Sequence, residues 1–299
     1  MQRDNFCTMP NTPLFSIVIP TLNEEKYLHH LLKDLSEQTF DLKRVEIIHV
    51  DGNSQDNTVK IARKFAKKLS LTSFVIKGRN VALQRNTGAS HAKGDWIIFM
   101  DADDRLPQYF LDGIKYQLAK NSQTDIFTCL LKPEKVTTSE ISVTKAVNLS
   151  ILVHEKIGIP FVLGALIGVR RIIFKKYQFN PKCCLGEDVE FVRNVAKEYL
   201  LSVFEEPKFT FSLRRFRKEG MLKLASMEAN IIIRTWMTQI SSTKNYGYVM
   251  EGGAYYDQKN EIFTKLVQQK VKKMTSTQLK KIKQAIDPLF KRFDALNRN

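Results

Sequence analysis

The segment DWIIFMDADD, residues 95–104, sets the terms for this chain, because four apolar residues after Trp96 run straight into Asp101, Asp103 and Asp104. Apolar side chains are costly to leave in water and carboxylates are costly to bury unpaired, so the run reads as a buried strand that delivers acids to an exposed end. Open parallel sheets bind ligands just beyond the carboxyl ends of their strands, and clustered carboxylates suit Mg²⁺ or Mn²⁺. The residues alone leave a second reading open, in which Asp103 or Asp104 caps a helix that starts near Pro107.

The flanking sequence repeats the strand-then-helix pattern. FSIVIP (15–20) precedes a helical spacing of leucines at 28, 31, 32 and 35, and VEIIHV (45–50) precedes the amphipathic VKIARKFAKKL. SFVIK (73–77) precedes a helix over 82–91, the acid-ended strand follows, and another helix is expected after Pro107. This alternation predicts an α/β protein with a mainly parallel sheet, its functional edge at Thr21 to Glu24, Asp51 to Ser54 and Asp101 to Asp104. Beyond it the spacing predicts a strand over 125–131, helices over 139–153 and 186–200, strand-like pieces over 201–213 broken by Pro207, and a mostly helical remainder.

Composition narrows the partners. Lys and Arg outnumber Asp and Glu by 47 to 31, a net charge of +16, which points to an anionic partner: a phosphorylated substrate, an acidic membrane or nucleic acid. The basic residues are scattered and no nucleic-acid-binding motif accompanies them, which argues against the last. Four cysteines without paired spacing indicate neither a disulfide framework nor a zinc site, and the five histidines lack metal-ligand spacing. The longest uncharged apolar stretch, 157–169, is shorter than the ~20 residues that span a bilayer. A cytoplasmic setting is the resulting expectation.

SIVIPTLNEEKYL, VDGNSQDNT, ALQRNTGASHAKGDWIIFMDADD and GALIGVRRIIFKKYQFNPKCCLGEDVEFVRNV resemble, in order, the motifs of family 2 glycosyltransferases. The resemblance covers about residues 14–200 and implies the GT-A fold, with a nucleotide-binding half (14–104), an acceptor half (105–218) and a basic helical extension (219–299) after a short N-terminal extension (1–13). It implies an inverting transfer of one sugar from a nucleotide diphospho-sugar, a UDP-sugar by expectation. The acceptor it implies is a hydroxyl or phosphate of a glycan, lipid-linked or phosphorylated molecule.

Residue by residue, the resemblance places Pro20, Thr21, Glu24 and Asp51 around the donor's base and ribose. Arg85 faces the diphosphate, Asp101 contacts the ribose or a metal-bound water, and Asp103 holds Mn²⁺ or Mg²⁺. Asp188 becomes the base, with Glu187 as its helper. Acids at a helix N-terminus also stabilise the helix, so 187–188 carry a structural reading beside the catalytic one. Asp56 reads as a cap for the helix after VDGNSQDNT.

Past 200 the resemblance fades. The Gln-x-x-Arg-Trp motif of processive relatives is missing, which argues for single transfers. Arg214, Arg215 and Arg217 could close on the diphosphate, grip a phosphorylated acceptor or form a solvated loop. The tail's alternation of apolar and basic positions suggests a helix lying on an anionic membrane, on its inner face. The rivals are a nucleotidyltransferase, which should carry a Gly-rich triphosphate loop where TLNEE stands, a basic nucleic-acid-binding protein, and a non-catalytic scaffold.

Overall fold

The computed structural model describes residues 12–156, 160–183 and 186–214. Arg215, Arg217, the basic segment from 219 and most of the N-terminal extension lie outside the described residues, so the expectations placed on them have no structural counterpart.

Among the described residues, seven strands form one sheet in the order β3-β2-β1-β4-β6-β5-β7. They are β1 (Phe15–Thr21), β2 (Val45–Asp51), β3 (Leu71–Val75), β4 (Trp96–Met100), β5 (Ile126–Pro133), β6 (Leu166–Arg170) and β7 (Leu201–Phe211). β6 alone runs against its neighbours, pairing antiparallel with β4 and β5, and all other pairings are parallel. The helices are α1 (Leu28–Ser36), α2 (Thr58–Phe65), α3 (Val81–Ser90), α4 (Phe110–Lys120), α5 (Thr138–Lys156), α6 (Arg171–Phe174) and α7 (Glu187–Val195).

The apolar runs are continuous because the central strands are covered on both faces. Along β1 and β4 alternate residues go to opposite layers. Phe15, Ile17, Ile19, Trp96, Ile98 and Met100 pack with the leucines of α1, Ala62 of α2 and Phe110, Leu111 and Ile114 of α4. Val18, Ile97 and Phe99 pack on the other face with Ala82 and Ala89 of α3, Phe174 of α6 and Phe191 and Val192 of α7. Each large apolar side chain so buried contributes about 1.5–3 kcal/mol, which pins the strand ends, and the acids on them, in place.

Two expectations are corrected here. Residues 201–211 are one strand, not pieces: β7 is the last strand of the sheet, and an edge strand tolerates the missing N–H of Pro207. Neither Asp103 nor Asp104 caps a helix, since α4 begins at Phe110 after Tyr109 and has no side-chain cap. β6 and α6 are additions to the sequence reading. Asp56 stands one residue before the N-cap of α2, which is Asn57, and from there accepts the Thr58 N–H at 2.9 Å.

Candidate active site

The C-terminal ends of β1, β2 and β4 lie side by side. β1 and β2 pair through to Thr21 and Asp51. Asp51 is fully buried and its carboxylate is well supplied: Ser54 donates its N–H to Oδ1 (2.7 Å) and its hydroxyl to Oδ2 (2.6 Å), and the Thr21 hydroxyl donates to Oδ2 (2.7 Å). Pro20 lies beside them in β1, opposite Val50.

One turn of α3 locks this edge together. Gln84 donates to the carbonyls of Thr21 (2.6 Å) and Val50 (3.0 Å), tying the helix to both strand ends. Asn86 exchanges hydrogen bonds with the backbone of Phe179, donating at 2.8 Å and accepting at 3.0 Å. Between them Arg85, 3% exposed, donates to Glu187 Oε1 (2.9 Å), Asp101 Oδ1 (3.2 Å) and the Gly164 carbonyl (2.9 Å), with its guanidinium over the Phe179 ring. The guanidinium expected on the diphosphate is thus engaged with the two acids it joins. Sequence reasoning passed over Gln84 and Asn86; their signal was three adjacent polar residues, QRN, in the middle of the helix.

A second guanidinium joins the opposite side. Arg214 forms an ion pair with Asp103 (Nε to Oδ2, 2.8 Å), donates to Glu24 Oε1 through Nη2 (2.6 Å), and lies over the Tyr27 ring at 4.4 Å. Of the basic cluster singled out in sequence, this member reaches the acid-ended strand. A cleft of about 550 Å³ opens beside Asp103, walled by Tyr27, Arg105 and Lys132 among others.

Asp188 stands in the first turn of α7. Gly186, at φ +81°, turns the chain into that helix in a conformation other residues adopt with strain. Asp188 Oδ1 accepts the Val189 N–H at 2.8 Å, and its other oxygen would lie 2.6 Å from a Cβ at Gly164, so only glycine leaves room for it there. The Arg85 bridge therefore brings α7, more than eighty residues along the chain, against the end of β4.

Six carboxyl groups, those of Glu24, Asp101, Asp103, Asp104, Glu187 and Asp188, gather around two guanidinium groups, and four of the six pair with them directly. The imbalance shows in their proton affinities. Burial lifts Glu24 to about 8 against the pull of Arg214, and lifts Glu187 to about 7 with help from the Asp188 charge. Burial also lifts Asp101 to about 6, against Arg85 and with the fields of Asp103 and Asp188. Asp104, fully buried with Oδ2 accepting the Asp101 N–H, is pushed up by burial and by the Asp101 and Asp103 charges. Glu24 Oε2 and Asp104 Oδ1 have no hydrogen-bond partner among the described residues.

These groups bind more protons folded than unfolded between their ordinary values (3.8 for Asp, 4.5 for Glu) and their raised ones, so their contribution to stability is fully present in acid and falls as pH climbs through them. His49, depressed by burial to about 4, acts in the opposite sense and only below its unfolded value of 6.5. The expected result for the protein without added metal is a melting temperature that falls between pH 6.5 and 8.5, with a smaller fall in Glu187→Gln, read by scanning calorimetry. A flat profile would contradict the carboxylate ordering.

A divalent cation fits this chemistry. Among the described residues no three His, Cys, Asp or Glu side chains converge into a complete cage. Mg²⁺ and its analogues are commonly held by one or two carboxylates completed by substrate phosphates and water, and Asp103, with Asp101 beside it at the end of β4, would supply the protein's share.

A mainly parallel sheet, one reversed strand and acids gathered at the β4 end are the features of a GT-A glycosyltransferase. The chain belongs to glycosyl transferase family 2, whose pattern matches residues 16–178. Glu187 and Asp188 fall outside that match. The chain is 35% identical over 92 residues (30% of its length) to the poly(ribitol-phosphate) beta-N-acetylglucosaminyltransferase TarS of Staphylococcus aureus, and the match spans only 16% of that protein. It is 30% identical over 228 residues to the GalNAc(5)-diNAcBac-PP-undecaprenol beta-1,3-glucosyltransferase of Campylobacter jejuni, covering 73% of this chain and 70% of that one. Among solved structures, TarS 1–349 with UDP superposes with a TM-score of 0.55 at 22% identity, over 68% of this chain and 62% of that one. The mannosyltransferase PcManGT of Pyrobaculum calidifontis, solved with GDP-Man and Mn²⁺, gives 0.57 at 20% identity, over 74% and 65%. These likenesses establish the fold.

Proposed function

We propose that this protein transfers one sugar, with inversion, from a UDP-sugar to a hydroxyl or phosphate of a glycan or lipid-linked acceptor. The observation that carries the proposal is the Arg85 bridge, which joins Asp101 at the end of β4 to Glu187 beside Asp188. It gathers in one place an acid pair for the donor and an acid for the acceptor.

In this reading Asp188 takes the proton of the acceptor hydroxyl as its oxygen attacks the anomeric carbon and the nucleoside diphosphate departs. Its orientation is kept by the Val189 N–H and by the space at Gly164. Glu187 holds Arg85 and, with an affinity for protons near neutrality, limits the negative charge beside the base. Thr21, Glu24 and Asp51 receive the base and ribose beside Pro20. At Asp51 the Ser54 hydroxyl, on a loop at the site's surface, is the donor that a base N–H replaces. Arg214 supplies permanent charge against Asp103 where the diphosphate lies. Asp103, with Asp101 alongside, would hold Mn²⁺ or Mg²⁺, which would supply Lewis-acid stabilisation of the leaving diphosphate.

The names of the Staphylococcus and Campylobacter relatives, a phosphate-polymer and a lipid-diphosphate glycosyltransferase, support an acceptor of that chemistry. Among the described residues no helix is long and apolar enough to cross a membrane. The placement we propose is the cytoplasmic face of an anionic membrane, through the basic residues from 219.

The test is hydrolysis of a panel of nucleotide-sugars with Mn²⁺ or Mg²⁺ and no acceptor. One uridine diphospho-sugar should stand out, and no turnover with any donor would overturn the reading. Asp103→Asn should abolish that hydrolysis and weaken Mn²⁺-dependent UDP binding at least tenfold by calorimetry; full metal-dependent affinity would remove Asp103 from the metal's ligands.

A further inference from the structure

His49 lies two residues before Asp51 in β2, on the same face of the strand and wholly enclosed. Its Nδ1 meets the Ser73 hydroxyl of β3 at 2.8 Å and its Nε2 meets the Thr21 hydroxyl of β1 at 2.8 Å. The protons along this line are fixed by counting. A hydroxyl has one proton, and Thr21 gives its own to the acceptor-only carboxylate of Asp51. Thr21 must therefore accept from His49, which puts the ring proton on Nε2 and leaves Nδ1 to accept from Ser73. Burial, outweighing the nearby Asp51 charge, keeps the ring neutral down to about pH 4, so this tautomer serves across the neutral range.

The line Ser73, His49, Thr21, Asp51 crosses three parallel strands and ends on a carboxylate at the sheet's functional edge. Nothing else in the core requires a polar ring at this position: β2 is otherwise an apolar strand here, with Ile47, Ile48 and Val50 as neighbours. A buried polar side chain is tolerated in such a strand only where its hydrogen-bonding atoms are satisfied, and both ring nitrogens are.

We propose that His49 is a positioning residue for nucleobase recognition: by donating to the Thr21 hydroxyl it keeps that hydroxyl's own proton directed at Asp51 and holds the carboxylate, as an acceptor, toward a base edge that offers an N–H. The inference rests on the proposed role of Asp51. It extends recognition of the donor to a residue that the base never touches.

The test measures binding of UDP and of inorganic pyrophosphate, each with Mn²⁺, together with donor KM and kcat. His49→Phe, which keeps the ring's bulk without its nitrogens, should weaken UDP roughly 10- to 30-fold, leave pyrophosphate within twofold, and raise KM with kcat nearly unchanged. His49→Gln, whose amide N–H reaches the place of Nε2–H, should recover most of the UDP affinity. His49→Asn, too short to reach Thr21, should not. In an Asp51→Asn background His49→Phe should add less than twofold. Should His49→Phe fail to fold, Ser73→Ala on the sheet-edge strand β3 frees the far end of the ring and should weaken UDP three- to fivefold with the same silence toward pyrophosphate.

Equal losses for UDP and pyrophosphate, or no recovery in His49→Gln, would reduce His49 to a packing residue. If Asp51→Asn weakens UDP and neither His49→Phe nor Ser73→Ala does, the inference fails and the proposed site stands. If Asp51→Asn itself leaves UDP binding intact, the proposed base contact fails and the inference with it.

Discussion

Asp188→Asn is expected to lower kcat by two to four orders of magnitude while the donor KM and the affinity for UDP with Mn²⁺ stay within about threefold, because a positioned general base contributes on that scale. The substitution is close to isosteric. The introduced amide can still accept the Val189 N–H through its oxygen, and it occupies the space that Gly164 leaves for the carboxylate. The side chain loses only its capacity to take a proton. The comparison with Asp103→Asn divides the two halves of the site: the Asp103 variant should lose metal-dependent nucleotide binding, and the Asp188 variant should keep it. Single-turnover kinetics with saturating donor give the cleanest reading, since they separate the chemical step from product release. A rate within tenfold of the parent protein would displace Asp188 as the base and return it to the plainer role of an acid at a helix N-terminus.

The fold was legible wherever an apolar run met a helical period. β1, β2 and β4 are covered on both faces, so their sequences are mainly apolar stretches, and the helices after them announce themselves by apolar spacing. β6 escaped because it lies inside a long apolar stretch whose prolines and glycines gave no period, and because its antiparallel pairing breaks the rule of alternation that served the first half. β7 was split at Pro207 because sequence does not say which strand will lie at an edge. In the site, the strand-end acids were legible from sequence, since carboxylates that directly follow a buried run must sit at its open end or find a counter-charge. Their partners were not. Arg85 finds Glu187 across 102 positions and Arg214 finds Glu24 across 190, and no local pattern encodes such a pairing. Arg85 is expected to face the diphosphate, and its partners within the chain are Asp101 and Glu187. His49 was one of five histidines without metal spacing, and its place in a line of hydrogen bonds depends on which residues of β1 and β3 lie beside it.

Arg85→Met should show what that long-range pairing is worth. The parent guanidinium satisfies three acceptors from its buried position, Glu187 Oε1, Asp101 Oδ1 and the Gly164 carbonyl. Methionine keeps an unbranched apolar stem in the same buried position but is shorter, places no cation over Phe179 and supplies no donor. Two acids already short of positive charge then face each other, and removing one partner of a buried pair costs about 3–5 kcal/mol. The loss should depend on pH in a definite direction. Without Arg85, which lowers the proton affinity of both acids, Asp101 and Glu187 move further above about 6 and about 7. Acid conditions neutralise them, so the urea-unfolding deficit should be larger at pH 8 than at pH 6. Arg85→Lys keeps one charge but not the fork that reaches three acceptors, and should fall between parent and Met. Both variants should lose activity beyond their loss of stability, since Glu187 carries Asp188 with it when α7 shifts from β4. An Arg85→Met protein within about 1 kcal/mol of the parent at pH 8, well under the cost of breaking a buried pair, would mean that the acids find another counter-charge. The bridge could then no longer be what holds the base against the donor end of the sheet.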